Sequence, residues 1–132
     1  MSGELKWLLL TVIFTGVLWI PYILDRIMVR GLVGAMANPS PAAKPQSAWA
    51  SRLEKAHYNA VENLVVFASL VLLLNAMHIS TAATVTACAV YFWARVVHAV
   101  VYTFGIPVLR TLAFAVGFAA EVVLALAALG AM

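Results

Sequence analysis

One short stretch of the chain, residues Arg52–Asn63, concentrates side chains that can bind or react. It reads Arg-Leu-Glu-Lys-Ala-His-Tyr-Asn-Ala-Val-Glu-Asn and leads into a largely apolar run from Leu64 to Leu74. At about 3.6 residues per turn, Lys55, Asn59 and Glu62 fall on one face of a helix. If that helix crosses a membrane, an ionised Glu62 without a partner costs at least ~2.5 kcal/mol. We therefore expect a polar group or a second charge to meet it.

A second polar group lies in a later apolar segment, where four residues are spaced as one helical stripe: Tyr91, Arg95, His98 and Tyr102. Arg95 stands about nine residues from the segment end, which is ~14 Å at 1.5 Å per residue. At that depth an arginine is expected to face the bundle interior and to pair with a carboxylate. Glu62 and Glu121 are both candidate partners, and the sequence alone does not choose between them.

Composition indicates the environment of these polar groups. Of the 132 residues, 65% are hydrophobic and 10% are charged, whereas about 25% are charged in an ordinary soluble domain. Four spans of ~20 apolar residues fit this length. The sequence therefore predicts an all-α membrane protein, a single four-helix transmembrane domain over residues 1–132, with spans near residues 5–29, 52–76, 81–104 and 108–130.

Local signals refine the boundaries of these spans. Pro21 lacks a backbone donor and predicts a kink in the second half of the first span. The proline-rich stretch from Gly31 to Trp49 is interpreted as a loop. Ser51 followed by Glu54 three residues later fits a capping box at the start of the second span.

Basic residues predict the orientation. Six of them lie at or beside the first and third connections: Arg26, Arg30, Lys44, Arg52, Lys55 and Arg110. The opposite side offers Lys6. The positive-inside rule then places both connections in the cytoplasm and both termini outside. Compact loops favour a bacterial inner membrane, and no nucleic-acid-binding motif accompanies the net charge of +3.

The cytoplasmic half collects the candidate site residues: Arg30, Lys55, His57, Asn59, Glu62, His98, Tyr102, Arg110 and Thr111. Several cations with one deep carboxylate suit a small zwitterionic or polyanionic ligand, because buried charges are tolerated when paired. No metal site is predicted, since His57 and His98 lack the spacing of metal ligands.

Three motifs resemble the MAPEG superfamily, the membrane-associated proteins in eicosanoid and glutathione metabolism. The first is Lys-Ala-His-Tyr-Asn-Ala-Val-Glu-Asn at residues 55–63. The second is Arg-Val-Val-His-Ala-Val-Val-Tyr at residues 95–102, and the third is Pro-Val-Leu-Arg-Thr-Leu-Ala-Phe at residues 107–114. Arg30 and the Ala-Asn-Pro ending at Pro39 also resemble the family pattern. The resemblance covers nearly the whole chain.

This resemblance implies a homotrimer of four-helix bundles that binds glutathione as co-substrate between subunits, near the cytoplasmic face. Arg30 and Lys55 would contact glutathione carboxylates, and Asn59 and Glu62 its backbone and γ-glutamyl amine. His57 lies in the same motif. His98 and Tyr102 would line the pocket, and Arg110 with Thr111 would lie beside the sulfur.

Departures from the family pattern bear on the activity. Lys55 stands where several members have arginine, which gives up bidentate carboxylate binding. Tyr58 and Phe114 replace a basic residue and a tyrosine of the prostaglandin synthase. These changes favour a general glutathione transferase or peroxidase acting on lipophilic electrophiles in the lipid bilayer. The alternative is a non-catalytic lipid- or partner-binding membrane protein, and a transporter has little support because no inverted repeat is present.

Overall fold

The computed structural model describes residues 1–131, and the secondary structure within them is helical. Its five helices are α1 (Gly3–Val17), α2 (Trp19–Met36), α3 (Ala48–Ala76), α4 (Ala82–Thr103) and α5 (Pro107–Ala128). Helices α1 and α2 follow one another as a single rod, so four rods are long and apolar enough to cross a membrane. The prediction of an all-α protein with four membrane-spanning helices is confirmed.

The first rod is interrupted at two places. Helix α1 ends at Val17 and α2 begins at Trp19, because Pro21 has no N–H to donate to the carbonyl of Val17 four residues earlier. The proline thus interrupts the helical hydrogen bonds at Leu18, whose backbone stays helical at φ −62° and ψ −22°. Gly31 has φ 73° and ψ 167°, a conformation that favours glycine.

The first connection is shorter than the sequence suggested. Residues 32–36 are helical beyond Gly31, and α3 begins at Ala48. The prediction of a loop from Gly31 to Trp49 was therefore wrong at its start, where the helix resumes after one non-helical residue.

The predicted capping box at Ser51 and Glu54 was also wrong. Helix α3 is preceded by Ser47, which makes no side-chain cap hydrogen bond. Instead, Ser47 donates its hydroxyl and its N–H to the two oxygens of Asp25, at 2.5 and 3.0 Å. Glu54 accepts from Arg26 at 3.2 Å. Arg26 of α2 thus takes the Glu54 carboxylate that the predicted box would have used, and Asp25 lies favourably at the positive end of α3.

Two sets of contacts define the ends of the bundle. At one end, Arg52 of α3 donates to the carbonyl of Thr103 at the end of α4, at 2.8 Å. This end holds the connections at residues 37–47 and 104–106. We call it the basic end, because six of the basic residues lie at or beside these connections. At the opposite end, Glu4 is 2% exposed and accepts from Thr84 and Ser80, at 2.5 and 3.1 Å.

The apolar core lies between these ends. Its centre is the Phe67 ring of α3 stacked on the Tyr91 ring of α4, with centroids 3.9 Å apart and planes at 9°. Leu124 of α5 and Val71 of α3 close around this pair and are fully buried. Small residues, including Ala113, Gly117 and Ala120, are buried along α5, which permits close approach of α4.

Candidate functional site

A cleft of about 260 Å³ opens near the basic end and is lined from three helices. Its residues are Asn59 of α3, His98 and Tyr102 of α4, and Arg110, Thr111 and Phe114 of α5. His98 and Tyr102 are one helical turn apart and therefore share a face. Arg110 lies in the first turn of α5, which Gly105 (φ 74°) allows to follow α4 after a tight turn.

The guanidinium of Arg110 is held by an aromatic ring. Its central carbon lies 4.3 Å from the centroid of Tyr102, a distance at which the cation is attracted to the ring face. The His98 ring packs edge-on against the same tyrosine, with centroids 5.5 Å apart. Within residues 1–131 the Arg110 side chain makes no hydrogen bond and no ion pair. Its N–H donors are therefore free for an anion in the cleft.

A second arginine lies behind the cleft. Arg95 is 3% exposed, and its Nη2 donates to Oδ1 of Asn59 at 2.5 Å. The same Nη2 lies 3.4 Å from Nδ1 of His98. Arg95 thus orients two cleft residues, although it was not among the site residues predicted from the sequence. Its position three residues before His98 on the same helical stripe could have indicated this role.

The predicted ion pair of Arg95 with Glu62 or Glu121 was wrong. Among the described residues, the one ion pair joins Arg26 to Glu54. The Arg95 guanidinium donates to the side-chain amide oxygen of Asn59, and Glu62 is exposed. Glu121 is 5% exposed, and its Oε1 has no hydrogen-bond partner within residues 1–131.

Three predicted ligand residues lie away from the cleft. Lys55 and Glu62 are exposed on α3. Arg30 lines a separate pocket of about 510 Å³ with Asn38 and Lys44, and its Nε donates to the carbonyl of Lys44 at 2.7 Å.

Two further predicted residues are engaged in other contacts. His57 shares a hydrogen bond of 2.7 Å with the hydroxyl of Tyr22, so it faces α2. The Thr111 hydroxyl lines the cleft but donates to the carbonyl of Pro107, at 3.2 Å. The structure therefore brings together Asn59, His98, Tyr102, Arg110 and Thr111.

The described residues contain no group of three His, Cys, Asp or Glu side chains placed to hold a metal ion. The polar groups that line the cleft include a guanidinium, an amide, an imidazole and a phenol. Together these groups can bind and orient a small anionic molecule.

Comparison of the sequence with known proteins agrees with the motifs quoted above. The sequence model of the MAPEG family matches residues 6–130. Searches of curated proteins and of solved structures gave no match. Because the family match spans nearly the whole chain, and four apolar rods carry its polar motifs, the chain belongs to the MAPEG family.

Proposed function

We propose that this protein is an integral membrane glutathione transferase, with peroxidase activity, that acts on lipophilic electrophiles. The observation that carries the proposal is the Arg110 guanidinium, held over the Tyr102 ring with its N–H donors unpaired within residues 1–131. It shares the cleft with Asn59 and His98, which Arg95 orients.

These residues fit the chemistry of a thiol co-substrate. A free thiol has a pKa of ~8.5 and reacts as the thiolate. Charge-assisted hydrogen bonds from a guanidinium stabilise an anion more strongly than neutral donors do. Arg110 would therefore raise the thiolate fraction of glutathione. The thiolate then attacks the electrophile and displaces its leaving group, so no protein nucleophile is needed. With a hydroperoxide, two glutathione molecules are oxidised to the disulfide as the peroxide is reduced to an alcohol and water.

A trimeric assembly is part of the proposal. The cleft in one subunit has a volume of about 260 Å³, which is below the ~300 Å³ of the smallest typical ligand pockets. Glu62 is exposed at the midpoint of α3, although an unpaired ionised residue at that depth costs at least ~2.5 kcal/mol. A neighbouring copy would cover Glu62 and bring Arg30 and Lys55 to a shared site.

Native mass spectrometry of the detergent-solubilised protein tests this assembly. The expected species contains three chains of 14.2 kDa. A monomer as the dominant species would contradict the shared site.

The enzymatic proposal is tested by the ultraviolet absorbance of thiolate on adding glutathione to purified protein. Wild type should form thiolate at neutral pH, and Arg110→Ala should lose it. Arg110→Lys should retain part of it, because lysine keeps the charge but not the planar stacking and forked donors. Lys6→Ala, at an exposed base of the opposite end, is the control and should match wild type. Absence of thiolate in wild type would rule out the enzyme.

The second candidate is a non-catalytic lipid- or partner-binding protein. It is favoured by the residues beside Arg110, where a glutathione sulfur would lie. The Thr111 hydroxyl donates within its own helix and Phe114 has no donor, so neither is available to stabilise a thiolate. This candidate predicts lipid binding that does not change in Glu62→Gln and negligible glutathione affinity. The transferase instead predicts weaker glutathione binding in that variant.

A further inference from the structure

Three buried polar atoms on α4 and α5 lack a partner. They are the hydroxyl of Tyr91, Nε of Arg95 and Oε1 of Glu121, and none has a hydrogen-bond partner within residues 1–131. The three residues are 1%, 3% and 5% exposed, respectively. Buried polar groups in proteins are almost always satisfied, because an unpaired one retains the full cost of leaving water. None of the three lines the cleft.

The two helices bring these residues to one place. Tyr91 and Arg95 are one turn apart on α4, and Gly117 and Glu121 are one turn apart on α5. A Cβ placed on Gly117 would lie 3.8 Å from Cδ2 of Tyr91 and 3.9 Å from Cδ of Arg95. These are ordinary contact distances, so Gly117 leaves room for about one methyl group beside both side chains.

We propose that Tyr91, Arg95 and Glu121 bind water inside the membrane-spanning bundle, in the space beside Gly117. A water molecule accepts hydrogen bonds from the Arg95 Nε–H and the Tyr91 O–H and donates one to Glu121 Oε1. Three partners is the usual number for a buried water. The Tyr91 ring is stacked on Phe67, and Phe67 and Leu124 are fully buried in the same core.

The bound water extends the polar contacts of the cleft. Arg95 donates through Nη2 to Asn59 and through Nε to the water, which in turn holds Glu121. A carboxyl group in the middle of α5 is thus connected to a cleft residue of α3. The water site does not depend on what the cleft binds.

Radiolytic hydroxyl-radical footprinting with mass spectrometry tests the proposal in the full-length protein in lipid nanodiscs. X-ray pulses make radicals from bound water at its own position, so a buried side chain is modified where water adjoins it. Tyr91 should be modified despite its 1% exposure. Cys88, fully buried in the same core and more reactive towards the radical, should not be. Equal background modification of Tyr91 and Cys88 would overturn the proposal.

A pair of glycine variants identifies the position of the water. Gly117→Ala fills the space at ordinary contact distances and should lower Tyr91 modification to the level of Cys88. Gly16→Ala places a methyl where nothing lies within 4 Å and should leave Tyr91 modification at the wild-type level. Unchanged modification of Tyr91 in Gly117→Ala would overturn the site.

Discussion

At the scale of single residues, the two arginines near the cleft have different surroundings and therefore different roles. Arg110 is half-buried and lies on the face of Tyr102, with its hydrogen-bond donors free of other described residues. Arg95 is buried and donates to Asn59. In the proposed function, Arg110 would contact the anion and Arg95 would support the cleft. Burial separates the two roles, and residue type alone does not.

The support role of Arg95 predicts the effect of changing Asn59. Asn59→Leu removes the acceptor for a buried guanidinium, so we expect a loss of about 1–2 kcal/mol in the free energy of unfolding. Chemical denaturation in detergent micelles measures this loss. Asn75→Leu, at an exposed asparagine of the same helix, is the control, because Asn63 itself donates to the Asn59 side chain. Equal stability of the two variants would show that the Arg95–Asn59 bond contributes little.

At the scale of the elements, two carboxylates at helix ends join segments that are distant in sequence. Asp25 of α2 binds the residue preceding α3, and Glu4 of α1 binds the first turn of α4. Each carboxylate lies at the amino end of a second helix, where the helix dipole favours negative charge. Such contacts join the rods at their ends, in addition to the packing of their apolar faces.

The contact of Glu4 with α4 gives a prediction at this scale. Thr84→Val keeps the side-chain shape but removes the hydroxyl that donates to Glu4 and takes part in the cap with Thr81. We expect a loss of about 2–4 kcal/mol in the free energy of unfolding. Thr86→Val, on the exposed face of the same helix, should change stability by less than about 0.5 kcal/mol. Equal unfolding curves for the two variants would contradict this role.

At the scale of the whole molecule, the basic end gathers the cleft, the Arg30 pocket and six of the bases. From the positive-inside rule we predict that this end faces the cytoplasm. In the proposed trimer, the same end would hold the complete site at the boundaries between subunits. Water-soluble glutathione would reach it from the cytosol and the electrophile from the bilayer.

Single introduced cysteines test this orientation in intact bacterial cells. The native Cys88 is fully buried, so the wild-type background should remain unlabelled. Met77→Cys, in the α3–α4 turn, should react with a membrane-impermeant maleimide added outside. Lys44→Cys, in the α2–α3 connection, should react only after the inner membrane is opened. The reverse pattern would place the cleft outside.

Much of the fold follows from local properties of the sequence. Four spans were predictable because each apolar run has the length that a bilayer requires, and an interruption near Pro21 was predictable because proline lacks an N–H. Candidate cleft residues such as His98, Tyr102 and Arg110 followed from motif and spacing. The sequence did not predict that Arg30, Lys55 and Glu62 lie outside this cleft.

The sequence by itself determined the class of protein, the number of spans and the family, because each depends on patterns that are local within the successive segments. Tertiary structure alone decided which partner each buried polar group takes. Arg95 reaches Asn59 and neither candidate glutamate, and Ser47 bonds to Asp25 in place of a local cap. Periodicity places a side chain on a face of its own helix, but the rotation of one helix against another is set by the packing of whole faces.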